Sequence, residues 1–234
     1  AISLAEVLER EATFPNSKID AERMSQQAHQ LNKSTNFNAL DIGSGFGFCT
    51  QALKKLAYKT VSINPGKYEN DVFKAMNADD PVAVMFEDFQ TSQRFGVVVM
   101  SQVLEHMLEP NQAINKVAEV LVPGGVMVCA VPNYHSFMVK LLGTKDNACL
   151  WIPEHVNFFT ESGLKSLSAR NGFRVVKIEQ ITRIPYNSLT KKLGLTGRYA
   201  TVADQFVKYL QIPFARLMNT LGLGIYINLY AVKE

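Results

Sequence analysis

Three glycines at alternate positions follow an acid at the end of an apolar run: Ala39-Leu40-Asp41-Ile42-Gly43-Ser44-Gly45-Phe46-Gly47-Phe48. The pattern reads as a buried strand that turns tightly into a helix, with backbone that a ligand can approach free of Cβ atoms. The spacing is G-x-G-x-G. A dinucleotide fingerprint needs a glycine at position 48, where Phe48 stands, and no Gly-Lys-Ser/Thr ending marks a phosphate loop. The plainer alternative is a strand-to-helix turn with no ligand.

Four histidines, His29, His106, His135 and His155, have the ordinary pKa that suits proton transfer near neutrality. His29 falls on an N-terminal helical pattern and reads as a surface residue. His106, His135 and His155 are the candidate catalytic bases: the first follows a strand, the second lies in Pro132-Asn133-Tyr134-His135 just past another, and the third opens His155-Val156-Asn157-Phe158-Phe159-Thr160. Each also has a structural reading, in capping or packing. Cys49, Cys129 and Cys149 form neither a C-x-x-C pair nor zinc spacing with a histidine, so neither a disulfide framework nor a metal is expected. Cys49 and Cys129, in apolar surroundings, read as small hydrophobes in a reducing, cytoplasmic setting.

Positioning these groups requires a frame. From residue 38 to 233 short β-branched runs alternate with longer amphipathic ones. Strands are predicted over 38–42, 60–64, 82–87, 95–101, 125–131, 173–181 and 225–232, and helices over 48–56, 69–77 and 111–121. A further helix is predicted over 160–171, with Thr160 and Ser162 as candidate N-caps and Gly172 as its stop. Pro123-Gly124-Gly125 should stop the helix that reaches Val122. Strand, helix, strand, repeated, means a parallel sheet covered on both faces. Residues 1–36 read as helical, with a start at Asp20-Ala21-Glu22. Residues 183–222 read as a helical insertion, amphipathic through Val202, Phe206, Leu210, Phe214 and Leu217 and kinked at Pro213. One domain is expected: an N-terminal helical cap (1–36), a core (37–182), an insertion or lid (183–222) and a final strand (223–234).

Several motifs occur in the order found in one family. Asp41-Ile42-Gly43-Ser44-Gly45-Phe46-Gly47 resembles motif I of the class I S-adenosylmethionine-dependent methyltransferases. Glu87-Asp88-Phe89, Ser101-Gln102-Val103-Leu104-Glu105-His106 and Leu121-Val122-Pro123-Gly124-Gly125 are similar to its later motifs. The stretch from His155 to Thr160, followed by Gly172-Phe173, resembles the subgroup holding quinone-type and sugar-type enzymes. The resemblance covers residues 38–182 and the final strand. It implies an α/β, Rossmann-like doubly wound sheet of seven mostly parallel strands with an antiparallel last strand, and methyl transfer by in-line displacement from S-adenosylmethionine, leaving S-adenosylhomocysteine. It further implies that Asp41, Gly43, Ser44, Gly45 and Gly47 pass the methionine portion. Asn64 would face the ribose, Asp88 the adenine amino group with Phe89 as apolar cover, and Ser101 and Gln102 the methionine end. Two positions depart from the family: Asn64 stands where Asp or Glu is usual, and Gly96 where Asp is usual. A binding or regulatory module that keeps the fold without catalysis is therefore the second reading.

The chain has 234 residues, 47% hydrophobic and 19% charged, with a net charge of +3, which excludes a disordered or collagen-like chain. That small surplus divides unevenly: residues 183–234 hold seven cations against two acids. A basic, aromatic lid suits an anionic small-molecule acceptor such as a nucleotide-linked sugar, or contact with a membrane surface, and equally an ordinary solvated helix. No nucleic acid is expected, because Ser101-Gln102-Val103-Leu104 stands where a nucleic-acid enzyme of this family carries Asn/Asp-Pro-Pro-aromatic. The longest apolar stretch, around 221–232, is broken by glycine and asparagine and is too short to span a bilayer.

Overall fold

The computed structural model describes residues 15–77, 79–143, 150–182 and 197–234, with side chains outside the description at 15 and 197–208. In chain order the elements are α1 (Pro15–Leu31), β1 (Asn38–Ile42), α2 (Phe48–Lys55), β2 (Lys59–Ile63), α3 (Lys67–Asn77), β3 (Phe95–Ser101), α4 (Pro110–Val120), β4 (Leu121–Pro132), α5 (Phe137–Leu142), α6 (Glu161–Arg170), β5 (Phe173–Ile181), α7 (Gly197–Thr220) and β6 (Tyr226–Lys233). A 3-10 turn, Leu104–His106, follows β3.

The sheet runs β2-β1-β3-β4-β6-β5. The first four strands pair in parallel, and β6 lies antiparallel between β4 and β5. This is the expected Rossmann-like α/β fold, corrected in strand number from seven to six among the described residues. The strand expected over 82–87 shrinks to a single bridge, Val82 to Ile63. Val82 exchanges hydrogen bonds with Ser62 and Asn64, but β2 has ended and the chain leaves through Pro65-Gly66, so no ladder continues beside Val84. Residues 85–89 instead turn on the Met85 carbonyl, which accepts from the Asp88 and Phe89 N–H groups.

Strand alternation sends Leu40, Ile42, Val98 and Met100 to one face, where α4 and α6 cover them with Ile114, Val117, Leu164 and Leu167. Ala39, Val97 and Val99 face the other side, under Met24 and Ala28 of α1 and Cys49 and Leu53 of α2. Each fully buried aliphatic side chain contributes roughly 1.5–3 kcal/mol, so both layers are needed to hold the strand ends in register. Cys49 and Cys129 are buried free thiols, and Cys149 lies outside the described residues.

The helix expected to reach Val122 stops at Val120; Leu121 is already extended and pairs with Phe95. Thr160 caps α6, its hydroxyl accepting from Gly163 N–H at 3.2 Å, whereas Ser162 lies inside the helix. α1 is already helical at Pro15, ahead of the expected start at Asp20, and the remainder of the cap, 1–14, lies outside the described residues. Of the insertion, 183–196 lies outside them too, which takes in Arg183, Tyr186, Lys191 and Lys192. Pro213 is inside α7. The expected apolar stripe does not all face inward: Phe214 packs its ring on Phe137 at 5.1 Å, but Leu210 and Leu217 are exposed.

Candidate active site

The carboxyl ends of the parallel strands meet two adjoining hollows, where open α/β sheets bind ligands. The larger is a cleft of about 780 Å³. Its floor is the turn from β1 into α2, Asp41 to Cys49; Ser101 and Gln102 border it after β3, and Tyr226 and Asn228 border it from β6. α1 supplies a wall with Asn16, Ser17, Asp20 and Met24, and α7 contributes Gln211. The smaller hollow, about 220 Å³, has an apolar base of Ile42 and Ile63 and is rimmed by Asn64-Pro65, Val84 to Glu87, Val103 and His106-Met107. Gly43 and Gln102 line both.

The glycine turn is fixed by Ser44 N–H donating to Ile63 O at 3.1 Å and Gly47 N–H donating to Ser44 O at 2.8 Å. Gly43 and Gly47 have φ of +64° and +86°, and neither has room for a side chain. A Cβ on Gly43 would lie 2.4 Å from Val103 Cγ2, and one on Gly47 would lie 2.3 Å from Asn77 Nδ2 and 2.7 Å from the Phe73 ring. These glycines let the loop seat against its neighbours, while a Cβ on Gly45 would meet nothing closer than Gly43 O at 4.0 Å. Gln102 also holds a left-handed φ of +58°, pinned by its N–H to Ala130 O at 2.8 Å.

Asp41 is 2% exposed; Thr50 Oγ1 donates to its Oδ2 at 2.6 Å and lies 2.8 Å from Ser62 Oγ. Burial outweighs the Thr50 bonds and pushes the Asp41 carboxyl up to about 7. Ser44, 7% exposed, keeps its hydroxyl without a protein partner while lining the cleft. A buried hydroxyl with no partner is costly unless a ligand or water satisfies it. Glycine backbone, this hydroxyl and the Asp41 carboxyl together fit the amino-acid end of S-adenosylmethionine.

Asn64, 8% exposed, uses its amide hydrogens internally, toward Asn70 Oδ1 at 3.0 Å and Gly66 O at 3.3 Å, leaving its carbonyl oxygen as the acceptor it can offer the small hollow. The structure does not bring Asp88 and Phe89 to either hollow: Asp88 is exposed on the turn, and Phe89 is packed into the main core. Met85, Phe86 and Glu87 stand at the rim instead, held from behind by Lys116 Nζ, which donates to Phe86 O and Glu87 O at 2.8 Å each. Gly96 sits where a Cβ would lie 2.0 Å from Asn36 O, so this departure follows from the packing of β3 on the segment before β1.

The three candidate bases do not line the large cleft. His106 is at the rim of the small hollow, its Nδ1 bonded to Glu154 O at 2.8 Å. His155 is 6% exposed, stacked edge-on between His106 and Trp151. His135 is exposed, its backbone N–H bonded to Asn133 Oδ1 at 2.9 Å. His29 lies with its Nδ1 3.3 Å from Tyr58 OH. Sequence spacing gave no warning of Glu105, 1% exposed, whose two carboxylate oxygens lack hydrogen-bond partners and which burial pushes up to about 8. It meets His106 and His155 with donor atoms within 4.8 Å of one another, across a separation of about fifty residues that no local pattern could span. Nor did sequence reasoning select Asp20, Tyr226 or Asn228, which reach the cleft only through the packing of α1 and β6 on the sheet.

Among the described residues no helix is long and apolar enough to cross a membrane. A methyltransferase domain family matches residues 4–178. Relatives include a ubiquinone biosynthesis O-methyltransferase of Bradyrhizobium sp. strain ORS 278, 26% identical over 201 residues, covering 79% of this chain and 78% of its own. Another, of Bartonella tribocorum, is 25% identical over 167 residues, 65% of this chain and 66% of its own. Solved structures of like fold include the plantazolicin methyltransferase BpumL with S-adenosylhomocysteine, at TM-score 0.61, 14% identity and coverage of 98% and 88%. The [4+2]-cyclase SpnF also matches, at TM-score 0.58, 16% identity and coverage of 91% and 81%. The match over most of its length, together with a glycine turn and cleft that suit the cofactor, places this chain in the class I S-adenosylmethionine-dependent methyltransferase family.

Proposed function

We propose that the two hollows hold the two halves of the cofactor and that a small-molecule acceptor enters the large cleft. The observation that carries this reading is their junction at Gly43 and Gln102, with an apolar hollow on one side and a polar, acid-bearing cleft on the other. The adenosine half fits between Pro65 and Val103, with the Asn64 carbonyl toward the ribose and the 85–87 turn at the base edge. The methionine half fits along the glycine turn, beside Asp41, Ser44 and Ser101. S-adenosylmethionine supplies an electrophilic methyl group on a sulfonium. The protein's part is to align the acceptor nucleophile with it, and positioning of this kind is worth on the order of 7–11 kcal/mol.

The methyl acceptor is O- or N-directed, and its released proton needs a base. Asp41, whose carboxyl burial raises to about 7, is engaged with the methionine half, so that proton leaves to solvent or to a group of the acceptor itself. His106 is the histidine nearest in placement, at the small hollow, and serves the adenosine side. The many hydroxyl and amide side chains of the cleft favour a hydroxylated metabolite or glycan over a bare lipid quinone. Calorimetry with S-adenosylmethionine and S-adenosylhomocysteine tests the site: binding of both is expected, and no heat from either at millimolar concentration ends the reading. The non-catalytic alternative ends on turnover of any acceptor, followed as S-adenosylhomocysteine release.

A further inference from the structure

The rim of the small hollow is held unevenly. Asn64 directly follows β2, and its backbone carbonyl is fixed by Asn70 Nδ2 at 2.9 Å. Residues 84–87 have no strand behind them. Past the Val82 bridge their backbone bonds are local, from Val84 N–H to Val82 O at 3.0 Å and in the turn on Met85 O. The Phe86 ring, buried in the main core, anchors its own residue, but it does not set the plane of the peptide that follows. That plane is set from α4. Lys116 Nζ donates to Phe86 O and Glu87 O at 2.8 Å each and lies 5.1 Å from the centre of the Phe86 ring. Lys116 is outside the lining of both hollows, on a helix seated on the sheet through the fully buried Ile114 and Val117. Among the described residues it pairs with no carboxylate, so its charge is directed at two backbone carbonyls.

Resting on the reading of this hollow as the adenosine site, we infer that Lys116 is a positioning residue for the cofactor: it draws the Phe86 and Glu87 carbonyls to its own side, so that the rim meets the base with N–H and not with C=O. In a planar trans peptide the N–H points opposite to the carbonyl, so Glu87 N–H faces away from Lys116. The Asp88 N–H is already taken by Met85 O, whereas no group among the described residues accepts from Glu87 N–H. The ring nitrogens of a purine are acceptors and suit such a donor. Remove the ammonium, and two carbonyls that have lost their partner turn to find another, which unsettles the same edge. The glycine turn and the methionine end bond to other elements and are untouched, so the effect belongs to the adenosine half alone.

The test titrates the full chain with S-adenosylhomocysteine and with 5′-methylthioadenosine, which lacks the amino-acid end, in wild type, Lys116→Met and Lys116→Arg. Thermal unfolding establishes that the variants fold. Lys116→Met should weaken both ligands roughly tenfold and by the same factor, as expected for loss of a charge-assisted contact behind the adenosine half. Lys116→Arg, whose guanidinium can still donate to two carbonyls, should stay within threefold of wild type, a rescue that loss of general stability would not produce. Binding of either ligand by folded Lys116→Met within threefold of wild type overturns the inference. So does an effect on S-adenosylhomocysteine alone, an arginine variant as weak as the methionine one, or wild type that binds S-adenosylhomocysteine but not 5′-methylthioadenosine. If Lys116→Met does not fold, Lys116→Gln, which removes the charge from an exposed-side helix position, takes its place: a loss of threefold or more is expected, and a smaller one overturns the inference. Failure of the underlying reading is seen separately and first, as wild-type protein that does not take up S-adenosylhomocysteine.

Discussion

Two turns at the ends of neighbouring strands each bury an acid, and they treat it differently. At the end of β1, Asp41 is bonded by Thr50 at 2.6 Å and borders the large cleft. After β3, Glu105 lies in a turn stitched to the 154–157 segment: its carbonyl accepts from Val156 and Asn157 N–H at 3.0 Å each, yet its carboxylate oxygens have no partner. Burial pushes both carboxyls well above their ordinary values, Asp41 to about 7 and Glu105 to about 8; what separates them is that Thr50 bonds the first and no side chain bonds the second. The first acid borders the large cleft, and the second lies buried beside His106 and His155.

The contrast can be broken most severely at the first turn. Gly47→Ala puts a Cβ into Asn77 and Phe73 at a left-handed backbone position, and should cost roughly 2–4 kcal/mol of stability, from crowding and strain together. Urea unfolding measures it, and the loss of the turn should take S-adenosylhomocysteine binding with it. Next comes the charge itself. Asp41→Asn should weaken S-adenosylmethionine binding roughly tenfold to a hundredfold, the range of a charged hydrogen bond lost, about 1.5–3 kcal/mol. Because a cationic ligand prefers the ionised acid, wild-type affinity should rise from pH 6 to pH 8 and the variant's should stay flat, as read by calorimetry.

At the second turn the expected effect is on stability. Glu105 is held above its unfolded value of 4.5, up to about 8, so between those values the folded state keeps a proton the unfolded state has released. Its contribution is therefore complete below pH 4.5 and is lost as pH rises toward 8. Glu105→Gln should flatten that decline in denaturant midpoints and gain on the order of 1–3 kcal/mol over wild type at pH 8. The smallest change is expected at Asn64→Asp. A carboxylate cannot donate to Asn70 and Gly66, so restoring the family's usual acid should alter cofactor affinity by less than about threefold, the lost internal bonds offsetting a better ribose contact.

Legibility in the sequence divides along the same line. The first turn is contained within residues 39–50, so composition and spacing were enough to find it, along with β1, β3 and β5 to the residue. The strand predicted over 82–87 has the right residue types but no backbone partner past Ile63, a fact of where β2 ends and not of its own sequence. Asp88 and Phe89 were chosen by position in a motif, yet the turn on Met85 sends one to solvent and the other into the core. Glu105 meets His155, and Asp20 and Asn228 come to border one cleft, only when the sheet is assembled. Local patterns specify the glycine turn, whereas long-range packing composes the rest of the cleft lining.

The place of β6 bears on the order in which the molecule can fold. β5 joins the sheet only through β6, and β6 pairs with β4 across about a hundred residues of chain. Loop closure over that distance is slow, and β5 has no edge to add to until it is complete. Lys233 fastens this arrangement, its Nζ donating to Ala118 O and Leu121 O at 2.6 and 2.8 Å. During synthesis the four parallel strands can pair while residues 226–233 are still to be made, whereas Asn228 and the wall it builds reach the cleft only with the last strand. The glycine turn can thus form early on an unfinished sheet, while the side of the cleft bordered by Tyr226 and Asn228 waits for β6.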